Sequence, residues 1–235
     1  LEPRDAFVDV GANLGLYSFA VDQLFRGAVS VLGVEASPEL EQHLRNSAKL
    51  LGSSNVVFQQ SGVGDAEREI DFFMAPSGGS LGEQGLHPDP VRSAAYVPRR
   101  LQMKTLADIS ARHPAFFHPA AIKLDIEGAE PLALRGAPSG WFDDTGPLWI
   151  IEANPTALDR AGSSCNALTS FFPVSKFDRW LLPQFAKSGA RHLAPRPLAD
   201  DEAFADAWFY NLVAVPCATR LAARRARLTP LFKTL

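Results

Sequence analysis

The chain has 235 residues, a length that suits one sizeable α/β domain rather than two. Hydrophobic residues make up 46% and charged residues 21%, a globular composition that excludes a disordered or collagen-like chain. Lys and Arg total 23 against 26 Asp and Glu, and the formal charge of −3 gives no electrostatic reason to bind nucleic acid or an anionic membrane. The two cysteines, Cys165 and Cys217, are too few for a disulfide framework and too far apart for a metal knuckle, so a reducing, cytoplasmic setting is expected. No segment approaches the ~20 apolar residues of a spanning helix, so no membrane span is expected. The N-terminus, with Glu2, Arg4 and Asp5, lacks the basic start and cleavage site of a signal peptide. The first core strand begins near Ala6, which predicts a minimal or excised domain, belonging to a larger polypeptide or to a homo-oligomer.

In chain order, strand-length apolar runs alternate with helix-length segments: a strand at Ala6 to Val10, a helix at Leu14 to Phe25, a strand at Ser30 to Val34, a helix at Pro38 to Leu51 and a strand at Asn55 to Gln60. This alternation predicts βαβ units and a parallel sheet. The second helix has a readable start, Ser37 as acceptor for first-turn amides and Pro38 at the first helical position, and a stop at Gly52. Glu69 to Met74 and Arg99 to Met103 read as additional strands, separated by a Gly-, Ser- and Pro-rich stretch from Ala75 to Pro98 long enough to be a lid or binding segment. The core pattern resumes with a strand at Ala120 to Ile126, a helix from Gly128 to Arg135 and a strand at Leu148 to Glu152. Val174 to Leu182 and Trp208 to Val215 then read as an antiparallel hairpin closing the sheet edge, with irregular chain from Lys187 to Asp201 between them. The tail from Thr219 to Lys233 carries Arg220, Arg224, Arg225 and Arg227 and reads as a solvated terminal helix, with a basic partner-binding helix as the alternative.

Chemistry concentrates first in Phe7-Val8-Asp9-Val10-Gly11-Ala12-Asn13-Leu14-Gly15, a strand ending in an acid, a turn with two glycines and then a helix. Glycine lets a ligand approach the main chain, and the helix start offers unpaired amides. A dinucleotide site would place glycine where Asn13 and Leu16 stand, which argues against NAD or FAD. Asp9 suits a ligand with a cationic end, such as the amino acid part of S-adenosylmethionine, whose carboxylate could meet the turn amides and helix start. Glu35, at the end of the second strand, can accept both hydroxyls of a ribose. The plain alternative is that Asp9 and Glu35 only cap neighbouring helices.

These pieces resemble class I S-adenosylmethionine-dependent methyltransferases and, more narrowly, the FkbM family. The resemblance rests on Val8 to Gly15, Val34-Glu35-Ala36-Ser37-Pro38, Ile122-Lys123-Leu124-Asp125-Ile126-Glu127-Gly128-Ala129-Glu130 and Ile151-Glu152-Ala153-Asn154-Pro155, which fall in order between residues 6 and 155. It implies a doubly wound, mostly parallel seven-stranded Rossmann-like sheet with an antiparallel C-terminal hairpin. The whole of 1–235 would be one methyltransferase domain, with 75–98 and 156–201 on the acceptor side. It also implies an O-methyltransferase acting on a sugar, glycan or natural-product hydroxyl. On this chain the cofactor residues would be Asp9, Gly11, Ala12, Asn13, Gly15, Glu35, Ala36, Gly62, Val63, Asp65 and Asp125. Of these, Gly62, Val63 and Asp65 would line the adenine pocket, although a tight turn explains Gly64-Asp65 equally well.

By the two-residue strand period, Lys123 and Asp125 share one face, and a Lys and an Asp in a central strand are costly unless paired or used. Asp125 and Glu152 stand at carboxyl ends of strands, where open α/β sheets bind ligands. The candidate catalytic residues are therefore Asp125, Glu152 and Lys123. Asp125 or Glu152 could act as general base toward an acceptor hydroxyl; alternatively Asp125, Glu152 and Asn154 could hold magnesium. Glu127 and Glu130 are expected to stabilise the next helix start. His43, His87, His113, His118 and His192 show no zinc spacing, and His87 and Ser80 read as loop residues before they read as site residues. Trp141, Phe142, Phe171, Phe172, Trp180, Trp208 and Phe209 are core candidates, some of which could stack a sugar. Methylation of nitrogen or carboxylate, a catalytically inactive cofactor-binding module, and an NAD-dependent oxidoreductase are the competing functions.

Overall fold

A computed structural model describes residues 1–75, 84–87, 95–187, 194–199 and 204–218. The tail from Thr219, Ser80 and His192 lie outside the described residues. The elements are β1 (Ala6–Val10), α1 (Leu16–Leu24), β2 (Ser30–Glu35), α2 (Pro38–Leu51), β3 (Val56–Gln60), β4 (Gly62–Val63), β5 (Arg68–Met74), β6 (Val97–Lys104), α3 (Leu106–Arg112), β7 (Ala121–Leu124), α4 (Glu130–Arg135), β8 (Leu148–Ala153), α5 (Pro155–Arg160), α6 (Cys165–Thr169), β9 (Phe177–Ala186), β10 (Arg196–Pro197) and β11 (Ala207–Pro216).

The main sheet runs β10-β9-β11-β8-β7-β1-β2-β3. Strands β8, β7, β1, β2 and β3 pair in parallel, and β11 enters antiparallel between β8 and β9. This is the expected α/β class with its C-terminal hairpin; the eighth strand, β10, adds two residues at the edge. Strand β1 is buried at all five positions because helices and loops cover both faces of the sheet. One apolar cluster joins Trp149, Phe172, Leu134 and Tyr210, and another joins Phe7, Val31, Leu44 and Phe58. Phe142 stacks on Trp149 at 5.6 Å and Phe172 meets Trp149 edge-on at 5.7 Å, so these aromatics are core, whereas Trp208 is 59% exposed.

Local chemistry sets the boundaries. The Ser37 hydroxyl accepts from the Leu40 amide at 3.2 Å, and Gly52 closes α2 in the left-handed region at φ 69°. At the opposite sheet edge, Arg45 Nη2 donates to the Phe58 carbonyl at 2.8 Å and Gln59 Nε2 to the Gln60 carbonyl at 2.8 Å, which blunts the open ladder of β3. Strand β7 ends at Leu124, two residues before the sequence expectation, because the chain turns off the sheet through Glu127 at φ 57° and Gly128 at φ 98°. Likewise β9 starts at Phe177 rather than Val174, since the Lys176 and Phe177 amides first close a turn on the Pro173 carbonyl. The two additional strands do not join the main sheet. They form β5 and β6 of a separate sheet of order β4-β6-β5, and this small sheet roofs the carboxyl end of the main one.

Candidate active site

The order β7-β1-β2 puts a topological switch point at β1, and a cavity of about 380 Å³ opens there, a volume suited to one cofactor-sized ligand. Gly11 to Leu14, Glu35, Ala36, Gly62, Val63, Lys123, Asp125 and Glu152 line it, joined by Ile70 and Phe72 of β5 and by Gln84 and Leu86. Gly11 has φ 78°, and a Cβ added there would lie 1.8 Å from the Asp125 carbonyl oxygen. The first turn and the end of β7 therefore meet backbone to backbone, which no other residue allows.

Around that contact the hydrogen bonds are heavily committed. The Gly11 and Ala12 amides donate to the Val34 carbonyl at 2.9 and 3.0 Å, and the Gly15 amide to the Ala12 carbonyl at 2.7 Å. Glu35 accepts from the Asn13 and Ser37 amides, both at 2.8 Å. It thus shapes the turn while bordering the cavity, and burial pushes its carboxyl pKa up. A ligand carboxylate consequently finds few donors in the turn itself. Leu14, Leu16 and Tyr17 keep amides without a partner among the described residues, so the start of α1 offers donors that an anion could meet.

Four sequence-assigned site residues do not line the cavity. Asp9 is buried beneath it, where one carboxylate oxygen accepts from the Ser18 amide at 3.0 Å and the Ser18 hydroxyl at 2.7 Å, tying α1 to β1. Gly15 packs on Phe19 and Leu44. Asp65 faces solvent and pairs with Arg68 at 2.8 Å, and that bond lowers its pKa; the turn explanation for this segment applies. Asn154 caps α5, accepting from the Thr156 and Ala157 amides at 3.2 Å each. His87 is likewise exposed, and its carbonyl accepts from Arg160 at 3.2 Å.

The cavity lining also carries a cluster of acids. Asp125, Glu127 and Glu152 each offer an oxygen within 4.8 Å of the others, so Glu127 takes the place that sequence reading assigned to Asn154. Its left-handed backbone, which turns the side chain into the cavity, left no periodic signal. Burial, and then repulsion from Asp125, Glu127 and Glu130, drives the Glu152 carboxyl far above its usual pKa, and its Oε2 finds no hydrogen-bond partner among the described residues. Lys123, 4% exposed, pairs with Asp125 Oδ2 at 2.9 Å and lies 4.7 Å above the Tyr17 ring. Burial alone would lower its pKa, but Asp125 and Asp9 together hold it above the ordinary value, so it stays a cation. Glu130 occupies the first position of α4. It is fully buried and also clasps the loop, its Oε1 accepting from the Ile126 and Gly128 amides at 2.9 and 3.3 Å.

A glycine turn and a set of acids around one switch-point cavity, on this strand order, match a class I methyltransferase architecture. The sequence matches the model of the methyltransferase FkbM domain over residues 9–181, and the chain belongs to the FkbM methyltransferase family. Among solved structures the fold is similar to methyltransferase FkbM from Methylobacillus flagellatus KT, with TM-score 0.55 and 19% identity, over 89% of this chain and 43% of that one. The chain thus spans less than half of that relative's length. Two more distant likenesses are precorrin-6y C5,15-methyltransferase from Geobacter metallireducens GS-15 (TM-score 0.46, 13% identity, 91% of this chain and 81% of that one) and a predicted O-methyltransferase, protein Atu636, from Agrobacterium tumefaciens (TM-score 0.47, 13% identity, 92% and 75%). No curated protein matches the sequence.

The family implies S-adenosylmethionine as cofactor, and the donors and acceptors present fit it. The amides at the start of α1 suit its carboxylate, Glu35 its ribose, and the apolar wall of Leu40, Val63, Ile70 and Phe72 its adenine. Replacing Glu35 by Ala is expected to weaken S-adenosylmethionine binding by about 30-fold, because two amide bonds to a carboxylate are lost along with the ribose acceptor. Asp65→Ala should stay within about twofold, since its interactions are exposed ion pairs. Calorimetric titration of both variants checks the pair; equal weakening would restore Asp65 to the cofactor site.

Proposed function

We propose that residues 1–235 act as one domain of an S-adenosylmethionine-dependent O-methyltransferase, directed at a hydroxyl of a sugar, glycan or related natural product. Of the segment 75–98, the described residues Gln84 and Leu86 line the cavity, which supports an acceptor-side role for them, whereas α5, α6, β9 and β10 occupy much of 156–201. The observation that carries this reading is the lining of one cavity, in which Glu35 and the start of α1 share a space with the acids Asp125, Glu127 and Glu152. When bound, the cofactor supplies an electrophilic methyl group on a sulfonium. Asp125 would take the acceptor's hydroxyl proton as that oxygen receives the methyl group. Lys123 keeps Asp125 oriented, and Glu152, which holds its proton, hydrogen-bonds the acceptor without competing as base.

A second reading draws on the proximity of three carboxylates, which are hard oxygen ligands suited to magnesium. The Lys123 ammonium, already neutralising Asp125, favours the metal-free base. The test is methyl transfer from labelled S-adenosylmethionine to a panel of methyl glycosides and amines, with EDTA or with added magnesium. Transfer to glycosides that EDTA leaves unchanged supports the base mechanism. Abolition by EDTA with rescue by magnesium transfers the role to a metal, and transfer to amines alone overturns O-methylation.

A further inference from the structure

The residues Leu14, Leu16 and Tyr17 are 63%, 75% and 44% exposed, yet all three line the cavity. Large apolar side chains left in solvent at a cavity mouth mark a surface that a ligand covers. Tyr17 differs from its two neighbours because its ring is held. The Lys123 ammonium lies 4.7 Å from the ring centroid, and the same ammonium pairs with Asp125 at 2.9 Å. A buried cation therefore fixes one side of the ring and couples its position to the carboxylate that faces the acceptor.

A rigid aromatic face beside several hydrogen-bond acceptors matches the two-sided chemistry of a pyranose. Axial C–H groups of the sugar pack on a ring face, while its equatorial hydroxyls donate to carboxylates. Asp125, Glu127 and Glu152 offer those acceptor oxygens, and Glu152 Oε2 finds no hydrogen-bond partner among the described residues. Neither Leu14 nor Leu16 supplies an aromatic face, and Phe72, the other aromatic among the described lining residues, stands on β5 of the small sheet.

We propose that Tyr17 is the stacking platform for a neutral sugar ring of the acceptor and the residue that gives the site its preference for cyclic carbohydrates over open-chain polyols. This assignment rests on the O-methyltransferase reading above. Aromatic packing beyond simple area burial is worth about tenfold in affinity, which sets the size of the effect. The experiment compares wild type, Tyr17→Phe and Tyr17→Leu for methyl transfer to methyl α-glucoside, methyl α-rhamnoside and the linear polyol mannitol, with S-adenosylmethionine affinity measured by calorimetry on each protein.

The expected result is a rise of about tenfold in glycoside KM relative to mannitol KM in Tyr17→Leu, and a near wild-type ratio in Tyr17→Phe. Glycoside kinetics in Tyr17→Leu equal to wild type would overturn the platform while leaving the O-methyltransferase reading in place. So would loss in Tyr17→Phe, which assigns the role to the hydroxyl, or a fall in cofactor affinity in Tyr17→Leu, which assigns the ring to the cofactor. A wild-type protein that binds the cofactor and methylates no glycoside overturns both.

Discussion

Asp125→Asn is expected to lower kcat by about a thousandfold, since it keeps the shape of the side chain and removes its basicity, and general base catalysis contributes about 10²–10⁴. The residue sits at the meeting of β7 with the first turn, with its carbonyl against Gly11 and its carboxylate on Lys123. S-adenosylmethionine affinity should change far less, because the amides of α1 and Glu35 are untouched. Glu152→Gln is the companion variant. Its carboxyl is held protonated by burial and by neighbouring acids, so an amide of the same shape should reduce turnover by less than about tenfold. Single-turnover transfer to a glycoside that the wild type methylates, paired with calorimetry, checks both. The reverse ranking would make Glu152 the base.

Stability without cofactor should fall between pH 5 and pH 8, and Glu130→Gln should flatten much of that fall. Burial, ahead of repulsion from Asp125, raises the Glu130 pKa to about 7 from the ordinary 4.5. The folded protein thus holds this proton more tightly than the unfolded chain. Its stabilising effect is complete below about pH 4.5 and is lost as pH rises through about 7, a difference of about 3 kcal/mol. Asp9, Glu35 and Glu152 are displaced in the same direction, chiefly by burial, and steepen the slope. His87 and His113, whose burial lowers their proton affinity, tilt the curve the other way, but neither is deeply buried. Urea unfolding at pH 5 and pH 8 measures the slope. The Gln variant's own stability is not diagnostic, because its amide nitrogen would replace the unpartnered Oε2; a slope equal to wild type would falsify the assignment.

Much of the architecture was legible because each local signal agreed with the fold that adopted it. The run Ala6 to Val10 reads as strand and has both faces covered, and Ser37, Pro38 and Gly52 bound α2 where their chemistry requires. Lys123 and Asp125 are costly in a central strand unless paired, and they pair with each other at 2.9 Å. The acids Asp9 and Glu35 looked alike in sequence, each ending a strand before a turn. Only the packing distinguishes them: Asp9 is sealed under α1 by Ser18, whereas Glu35 both bonds the turn and reaches the cavity.

What the sequence by itself determined is the alternating α/β order, the caps, the switch-point turn and the demand that buried charges be paired, since these follow from side-chain period and backbone chemistry within a few residues. What only the tertiary structure decided is the composition of the cavity. Glu127 enters because φ 57° swings it off the helical pattern, and Asn154 leaves because it is spent on capping α5. Ile70 and Phe72 arrive on a separate sheet that no local signal places over the main one, and Tyr17 is oriented by a lysine more than a hundred residues away in the chain. Contacts between segments distant in sequence are settled by packing and by the pairing of buried charge, and neither is encoded in any single stretch of chain.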